Sequence, residues 1–412
     1  MAQPSWTFMV YMAGFNNLSS AATEDLDEMR TVGSTDDLNV VVFIKRLDRE
    51  SAERIVVRKD GQGEQADQVG NADSGNPQTL VDFVRWAAKA APADRYALVV
   101  WNHGSGWGVD DLDEVYTEVK NKAGDTGVSP RELGVRSTQQ IGRTLFKKPV
   151  EKVLELPNLR ERAIASDDGS GHSLDTIELY NALEAAHDEL GKPLELFGMD
   201  ACLMSTLEVA YEVQEFAKMV VGSEELEPGD GWPYERILTD LAADPGIDGV
   251  ELGRRIVKHY VDSYANQQGQ WPVTQCATST EGLGAFVDRL DALSQALRAA
   301  VGGDAELAKV MRAHGRSPGF MGDLIDLRAL CENVVAESIS PEVTSAADAV
   351  IDALAPDGYV VAEGHRGPSV DGVGGVTVYL PAPTKPASKF YADLRFAKEH
   401  GWDDFINAYQ QG

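Results

Sequence analysis

Cysteine is scarce in this chain, with three residues among 412, at Cys202, Cys276 and Cys331. An odd number without paired spacing gives no indication of a disulfide framework or of the usual zinc motifs. Basic residues are also few, 37 Lys and Arg against 66 Asp and Glu, giving a formal net charge of −29. That field argues against nucleic acid or an anionic membrane as the main partner, and spread over a surface it serves solubility. No apolar run approaches the ~20 residues needed to span a bilayer. The first twelve residues lack a basic n-region, and their apolar side chains alternate as in a strand. These absences give the expectation of a cytoplasmic protein, kept in a reducing compartment and independent of membranes.

What is present suits a globular enzyme. A hydrophobic content of 43% beside 25% charged residues is ordinary for a soluble fold, and the length allows one large domain with an appendage, or two domains. Strand and helix patterns alternate through the first half: strands at 7–12, 38–44 and 96–101, an alternating ribbon at 53–58, and helices at 23–32 and 77–90. This order predicts a mostly parallel sheet covered on both faces. Residues 104–170 form a polar, charged insertion. A helix at 173–190, a strand at 194–199, a helix at 203–215 and a strand at 218–222 follow, and then a Gly- and Pro-rich stretch to Tyr234. Beyond residue 270 the pattern turns mainly helical, with strand candidates at 273–278, 359–363 and 375–380. The expected division is therefore 1–270 and 271–412.

Two segments carry the chemistry. Asn102-His103-Gly104 ends one apolar run, and Asp200-Ala201-Cys202 ends another. The intervening helix has the length of a right-handed crossover, so the two strands are expected side by side, ~4.8 Å apart, with both motifs on one sheet edge. A cysteine at a strand-to-helix turn would meet unpaired amides and the positive end of the helix dipole, which favour thiolate. His103 would serve as base and acid, and Gly104, without a side chain, would let its amide approach a scissile carbonyl. Each residue alone is ordinarily structural; as a pair at equivalent strand ends they read as a site.

The segments Asn102-His-Gly-Ser-Gly-Trp107 and Met199-Asp-Ala-Cys-Leu-Met204 resemble the His-Gly and Asp-Ala-Cys blocks of the clostripain-like (C11) cysteine peptidases. Tyr11-Met-Ala-Gly with Asn16-Asn17, Ser223-Glu-Glu, Pro228-Gly-Asp-Gly-Trp232, Leu394-Arg-Phe-Ala and Trp402-Asp-Asp-Phe-Ile extend the resemblance over nearly the whole chain. It implies an α/β caspase-like three-layer sandwich with a mostly parallel sheet and a helical C-terminal subdomain, and a Cys–His dyad that cuts protein or peptide substrates after Arg or Lys. Carried over residue by residue, Cys202 is the nucleophile, His103 its base, Gly104 an oxyanion donor and Asp200 the carboxylate of the P1 pocket. Glu224, Glu225 and Asp230 add candidate negative charge to the pocket wall.

The resemblance also implies a zymogen that cuts itself between the His and Cys blocks, leaving a monomer or a nicked two-chain form. Lys120, Lys122, Arg143, Lys147 and Lys148 are the candidate cleavage positions. It implies no required cofactor and leaves calcium open: Asp110-Asp-Leu-Asp-Glu114 and Asp167-Asp168 offer oxygens but lack the spacing of a calcium loop. His172, beside a Gly-Ser-Gly turn, is the other histidine expected near the site. Two further readings remain, a caspase-like binding scaffold without catalysis and another thiol amidase.

Overall fold

The computed structural model describes residues 3–107, 164–167, 172–265, 272–355, 358–388 and 390–411. Its first strand, β1 (Trp6–Gly14), is buried at every position, the pattern of a parallel strand covered on both faces. The described chain continues through α1 (Ser19–Val32), β2 (Leu38–Arg46), β3 (Glu53–Val56), β4 (Asp67–Gln68), α2 (Pro77–Ala90) and β5 (Arg95–Trp101). Then come β6 (Ile164–Asp167), β7 (His172–Leu174), α3 (Thr176–Leu190), β8 (Leu196–Asp200), α4 (Leu207–Val213) and β9 (Met219–Gly222). The last stretch holds α5 (Tyr234–Ala243), α6 (Gly249–Ser263), β10 (Val273–Ser279), α7 (Leu283–Ala300), α8 (Asp304–Arg316), β11 (Gly319–Phe320) and β12 (Leu324–Asp326). It closes with α9 (Leu327–Glu337), α10 (Pro341–Leu354), β13 (Val360–Arg366), β14 (Thr377–Tyr379), α11 (Arg395–Glu399) and α12 (Trp402–Gln411).

Nine strands form one sheet in the order β13-β10-β9-β8-β5-β1-β2-β3-β4. Its centre, β9-β8-β5-β1-β2, is parallel, and antiparallel strands close both margins. Side chains alternate between two cores. Met9, Tyr11, Leu98, Val100, Phe197 and Met199 face α2, α3 and α4. Phe8, Val10, Val99, Trp101 and Val221 face α1, α5 and α6. The expected three-layer α/β sandwich is thus the observed one.

Capping sets several boundaries. Asn76 accepts from the Gln78 amide and Pro77 takes the first turn of α2. The helix expected over 173–190 begins at Thr176, because Asp175 and Glu178 form a reciprocal capping box; His172–Leu174 pair with β6 as a strand instead. Two helices, α5 and α6, occupy a stretch with no expected element; the glycines at the start and in the body of α6 dilute its helical signal, although Gly253 lets the helix approach Ala277 closely. The sheet also runs across the division at residue 270, since β10 and β13 are its margin strands. The C-terminal helices α7, α9 and α10 pack onto the same core as α2, α3 and α4.

Candidate active site

Strand register brings the two motifs together. Trp101 of β5 is the partner of Asp200 on β8 and of Met12 on β1, and the Asn102 amide donates to Asp200 O at 3.3 Å. His103 and Cys202 each lie two residues past that row. The reversal of strand order lies between β1 and β5, where open α/β sheets leave a crevice at the carboxyl ends. Contact is tightest at Gly104: a Cβ there would lie 2.3 Å from Cys202 O and 3.0 Å from Ala201 Cβ, so no larger residue fits without displacing the cysteine turn.

Amide side chains hold the histidine segment. Asn102 donates to Ala13 O at 2.7 Å, and its Oδ1 accepts from Asn16 Nδ2 at 3.0 Å and from the His103 amide. Asn16, fully buried, also donates to Ala13 O at 3.1 Å and accepts from the Leu18 amide at 2.9 Å. The neighbouring Asn17 places Oδ1 2.8 Å from His103 Nε2. Further along, Trp107 stacks edge-on against Tyr379 and Tyr391, and its carbonyl accepts from Thr176 Oγ1 at 2.9 Å. The histidine loop is therefore anchored at one end by β1 and at the other by the C-terminal module.

The surroundings of the thiol depart from expectation. The following helix begins at Leu207, capped by Thr206, whose hydroxyl accepts from the Val209 amide. Leu203 takes a left-handed conformation, φ 63°, inside the preceding turn. Cys202 therefore does not stand at a helix N-terminus, and the dipole argument for its activation falls. Instead the Glu227 amide points at Cys202 Sγ, 3.1 Å away. The segment carrying Glu227 is fixed by Leu203 N to Glu225 O and Ser205 N to Ser223 O, and Thr274 Oγ1 accepts from the amides of Glu224 and Glu225. Cys202 is fully buried beneath it.

Acidic groups lie close by. Asp200 is buried, and its Oδ2 accepts from Tyr234 Oη at 2.8 Å and from the Trp232 amide at 3.5 Å. Tyr264 Oη donates to Gly231 O at 2.9 Å, tying down the same loop. Burial, then the Glu227 carboxylate, then Tyr264, Asp200 and Cys202 push the Tyr260 hydroxyl well above its ordinary range, so that this phenol stays neutral beside the thiol. Asp230 stands exposed at the loop's turn.

The sequence pattern of the clostripain family matches residues 10–129 and 153–409. The chain belongs to the clostripain family. Clostripain from Hathewaya histolytica is 24% identical over 317 residues, which make up 69% of this chain and 52% of that protein. The chain thus spans about half the length of the curated relative that it matches. A secreted C11 cysteine protease from Bacteroides thetaiotaomicron, solved with an irreversible peptide inhibitor, superposes with a TM-score of 0.62 at 21% identity, covering 99% of this chain and 100% of that one. An inactive zymogen C11 protease from Parabacteroides distasonis gives 0.63 at 15% identity, covering 97% and 99%. At these identities the two structures show the shared fold. The expectation of a cytoplasmic protein is overturned, since the Bacteroides relative is secreted. Scarce cysteine was a poor guide to compartment, because a core of this size needs no disulfides anywhere.

Other expected site residues fall elsewhere in this clostripain-family fold. Glu224 is not presented to the thiol: fully buried, it turns toward the C-terminal module, where Oε2 accepts from the Gly375 amide at 3.1 Å and Asp326 lies beside it. Glu225 is tied locally, its Oε1 accepting from the Leu226 amide. Asp167 is engaged by a cation of the chain itself: Lys45 Nζ sits 2.7 Å away, and the amide and hydroxyl of Ser74 both donate to the same oxygen at 2.9 Å. Among the described residues no three His, Cys, Asp or Glu side chains gather as a metal site. The backbone of His172 pairs with that of Asp167, while its side chain lies outside the described residues. Lys120, Lys122, Arg143, Lys147, Lys148, Asp168 and the run 110–114 also lie outside them. Asn17 carried no assigned role in the sequence beyond the family resemblance of the Asn16-Asn17 pair.

Proposed function

We propose that this chain is a cysteine endopeptidase that cuts peptide bonds after Arg or Lys. The observation that supports it most is the convergence of Cys202, His103 and Gly104 at adjacent parallel strand ends beside the switch point of the sheet. In the proposed cycle His103 takes the Cys202 thiol proton and Sγ bonds to the scissile carbonyl carbon. The Gly104 and Cys202 amides receive the oxyanion. The carbon–nitrogen bond then breaks, His103 passes its proton to the leaving amine, and water, deprotonated by His103, hydrolyses the thioester. Asp200 is the proposed partner of the P1 cation, supported by its burial two residues before the thiol, with Asp230 at the loop's rim adding charge.

The covered thiol suits a latent chain, and cleavage between His103 and Cys202 is the proposed activating event. The mature enzyme would then be a nicked form or a monomer acting on proteins or peptides with Arg or Lys at P1. Purified protein should hydrolyse fluorogenic peptides with Arg or Lys at P1, and Cys202→Ala should abolish this; equal turnover by the variant would sink the proposal. Asp200→Ala should lower cleavage after Arg and Lys far more than it slows thiol alkylation. Intact mass of wild type beside Cys202→Ala should reveal fragments in the wild type alone. A scaffold would show neither turnover nor fragments, and another amidase would show turnover without a basic P1 preference.

A further inference from the structure

We infer that Tyr260 and Gln275 are specificity-determining residues: together with Asp200 they form an acceptor set for a planar guanidinium, so that the site takes Arg at P1 in preference to Lys. The observation that carries this is a pair of buried polar side chains with nothing to bond. Tyr260 Oη and both amide atoms of Gln275, Oε1 and Nε2, have no hydrogen-bond partner among the described residues, and both residues are fully buried. Orphaned groups of this kind cost stability, and a fold that keeps them has a use for them outside its own packing.

Both side chains stand beside the candidate site. Tyr260, on α6, feels the charges of Glu227, Asp200 and Cys202, and its ring centroid lies 5.1 Å from that of Tyr264, whose hydroxyl holds Gly231 of the covering loop. Gln275 lies on β10 between Val273 and Ala277, which face the core that also holds Tyr260, Trp232 and Val221, so alternation turns its side chain to the same face. Its cross-strand partner is Gly364, where a Cβ would lie 2.9 Å from Val261 Cγ2 and 3.5 Å from Val257 Cγ1. This row therefore runs beneath the turn of α6 that carries Tyr260. The preceding residue, Thr274, holds the amides of Glu224 and Glu225 in the segment that covers the thiol.

A guanidinium carries five N–H donors in one plane, more than a single carboxylate accepts, and a phenol and an amide oxygen add acceptors without adding a second buried charge. An ammonium is compact, offers three donors and holds its water more strongly. The set therefore favours Arg. It lies under the segment that covers Cys202, so a P1 side chain reaches it when that segment moves.

The specificity half of this inference rests on the peptidase reading; the binding half does not, and the experiment separates them. Wild type should cleave an Arg-P1 fluorogenic peptide with kcat/KM at least about tenfold above that of its Lys-P1 twin, and Tyr260→Phe and Gln275→Leu should each lower the Arg value about tenfold and the Lys value less, so that the two converge. Without ligand, Tyr260→Phe should melt at or above the wild-type temperature, since an unpaired hydroxyl is removed. Butylguanidinium should raise the melting temperature of wild type more than butylammonium does, and more than it raises that of either variant. Equal Arg and Lys values in an active wild type, variants that keep the wild-type ratio, or a Tyr260→Phe chain that melts lower would overturn the inference. If wild type cleaves neither peptide, the peptidase reading fails and butylguanidinium decides the binding half: a shift that both variants lose upholds it, and no shift overturns it.

Discussion

Two buried polar clusters flank the cysteine edge, and they solve the same problem in opposite ways. At the end of β2, Lys45 and Asp167 form an ion pair with side chains 4% and 0% exposed, and Ser74 donates twice to the same carboxylate. Where α4 and the segment after β9 meet the C-terminal module, Glu208, Glu224 and Asp326 are equally buried, with no ion pair among the described residues. The first cluster is stable because a charge is matched. The second is stable because protons are kept. Burial raises the Asp167 carboxyl, but the Lys45 and Ser74 hydrogen bonds more than reverse this, leaving it below 3.8. Burial pushes Glu208 up to about 7, against hydrogen bonds from the Tyr379 amide and Tyr391 hydroxyl that favour its ionised form. The clusters therefore respond to pH with opposite signs.

The sharpest break of this contrast is Lys45→Met. It strands a buried carboxylate without the lysine charge that matches it and should cost about 3–5 kcal/mol in urea denaturation near neutral pH. Adding Asp167→Leu should recover most of that loss, because removing both charges also removes the desolvation cost. Asp167 is held low, so its contribution is present above 3.8 and fades as pH falls through its folded value. A Lys45→Met loss that stayed constant from neutral to strongly acidic pH would contradict the matched-charge account.

Next in size is Glu208→Gln. Glu208 holds its proton in the fold up to about 7, whereas its ordinary value is 4.5. Between those limits the folded chain binds the proton more tightly, so stability falls as pH rises and the penalty is complete above about 7. That interval, at about 1.4 kcal/mol per tenfold change in proton activity, is worth about 3 kcal/mol at most. Glutamine keeps the acceptor for the Tyr379 amide and cannot ionise. The variant should match wild type at pH 4 in thermal melts, below the ordinary value of 4.5, and gain stability at pH 8; equal curves at both would remove Glu208 from the pH response.

The contrast also marks what could be read from sequence. The central strands were legible because they are unbroken apolar runs, and the adjacency of β5 and β8 because the helix between them has crossover length. The family pair His103 and Cys202 follows from those two facts. Asn17 was not assigned, since its histidine is 86 positions away and meets it only because β1 lies beside β5. The start of α4 was misread although Ser205-Thr206 before an apolar run is a cap signal; the left-handed turn at Leu203 has no glycine or asparagine to announce it. The direction of the Glu224 side chain was not legible, because sequence fixes neighbours along the chain, while that direction depends on Gly375 and Asp326 from the far end.

Glu224→Gln tests the smallest and most local part of the proton-keeping cluster. Burial, then the Asp326 carboxylate beside it, push Glu224 well above its ordinary range, while burial raises Asp326 against the hydrogen bond from Glu224. The proton therefore sits on Glu224 and is given to Asp326, whose other contacts are the Ala329 and Gly374 amides. Glutamine would keep an oxygen for the Gly375 amide and present a fixed N–H to Asp326 in place of the acidic proton. At low pH the two donors are equivalent and the change should be near zero. As pH rises the wild-type proton is lost and two carboxylates face each other, whereas the variant keeps its donor and should gain about 1 kcal/mol. Since Glu224 precedes the segment whose amide meets Cys202 Sγ by three residues, the same variant should also flatten any alkaline rise in thiol alkylation that comes from this segment loosening. Alkylation that rises with pH identically in both proteins would assign that rise to the thiol alone.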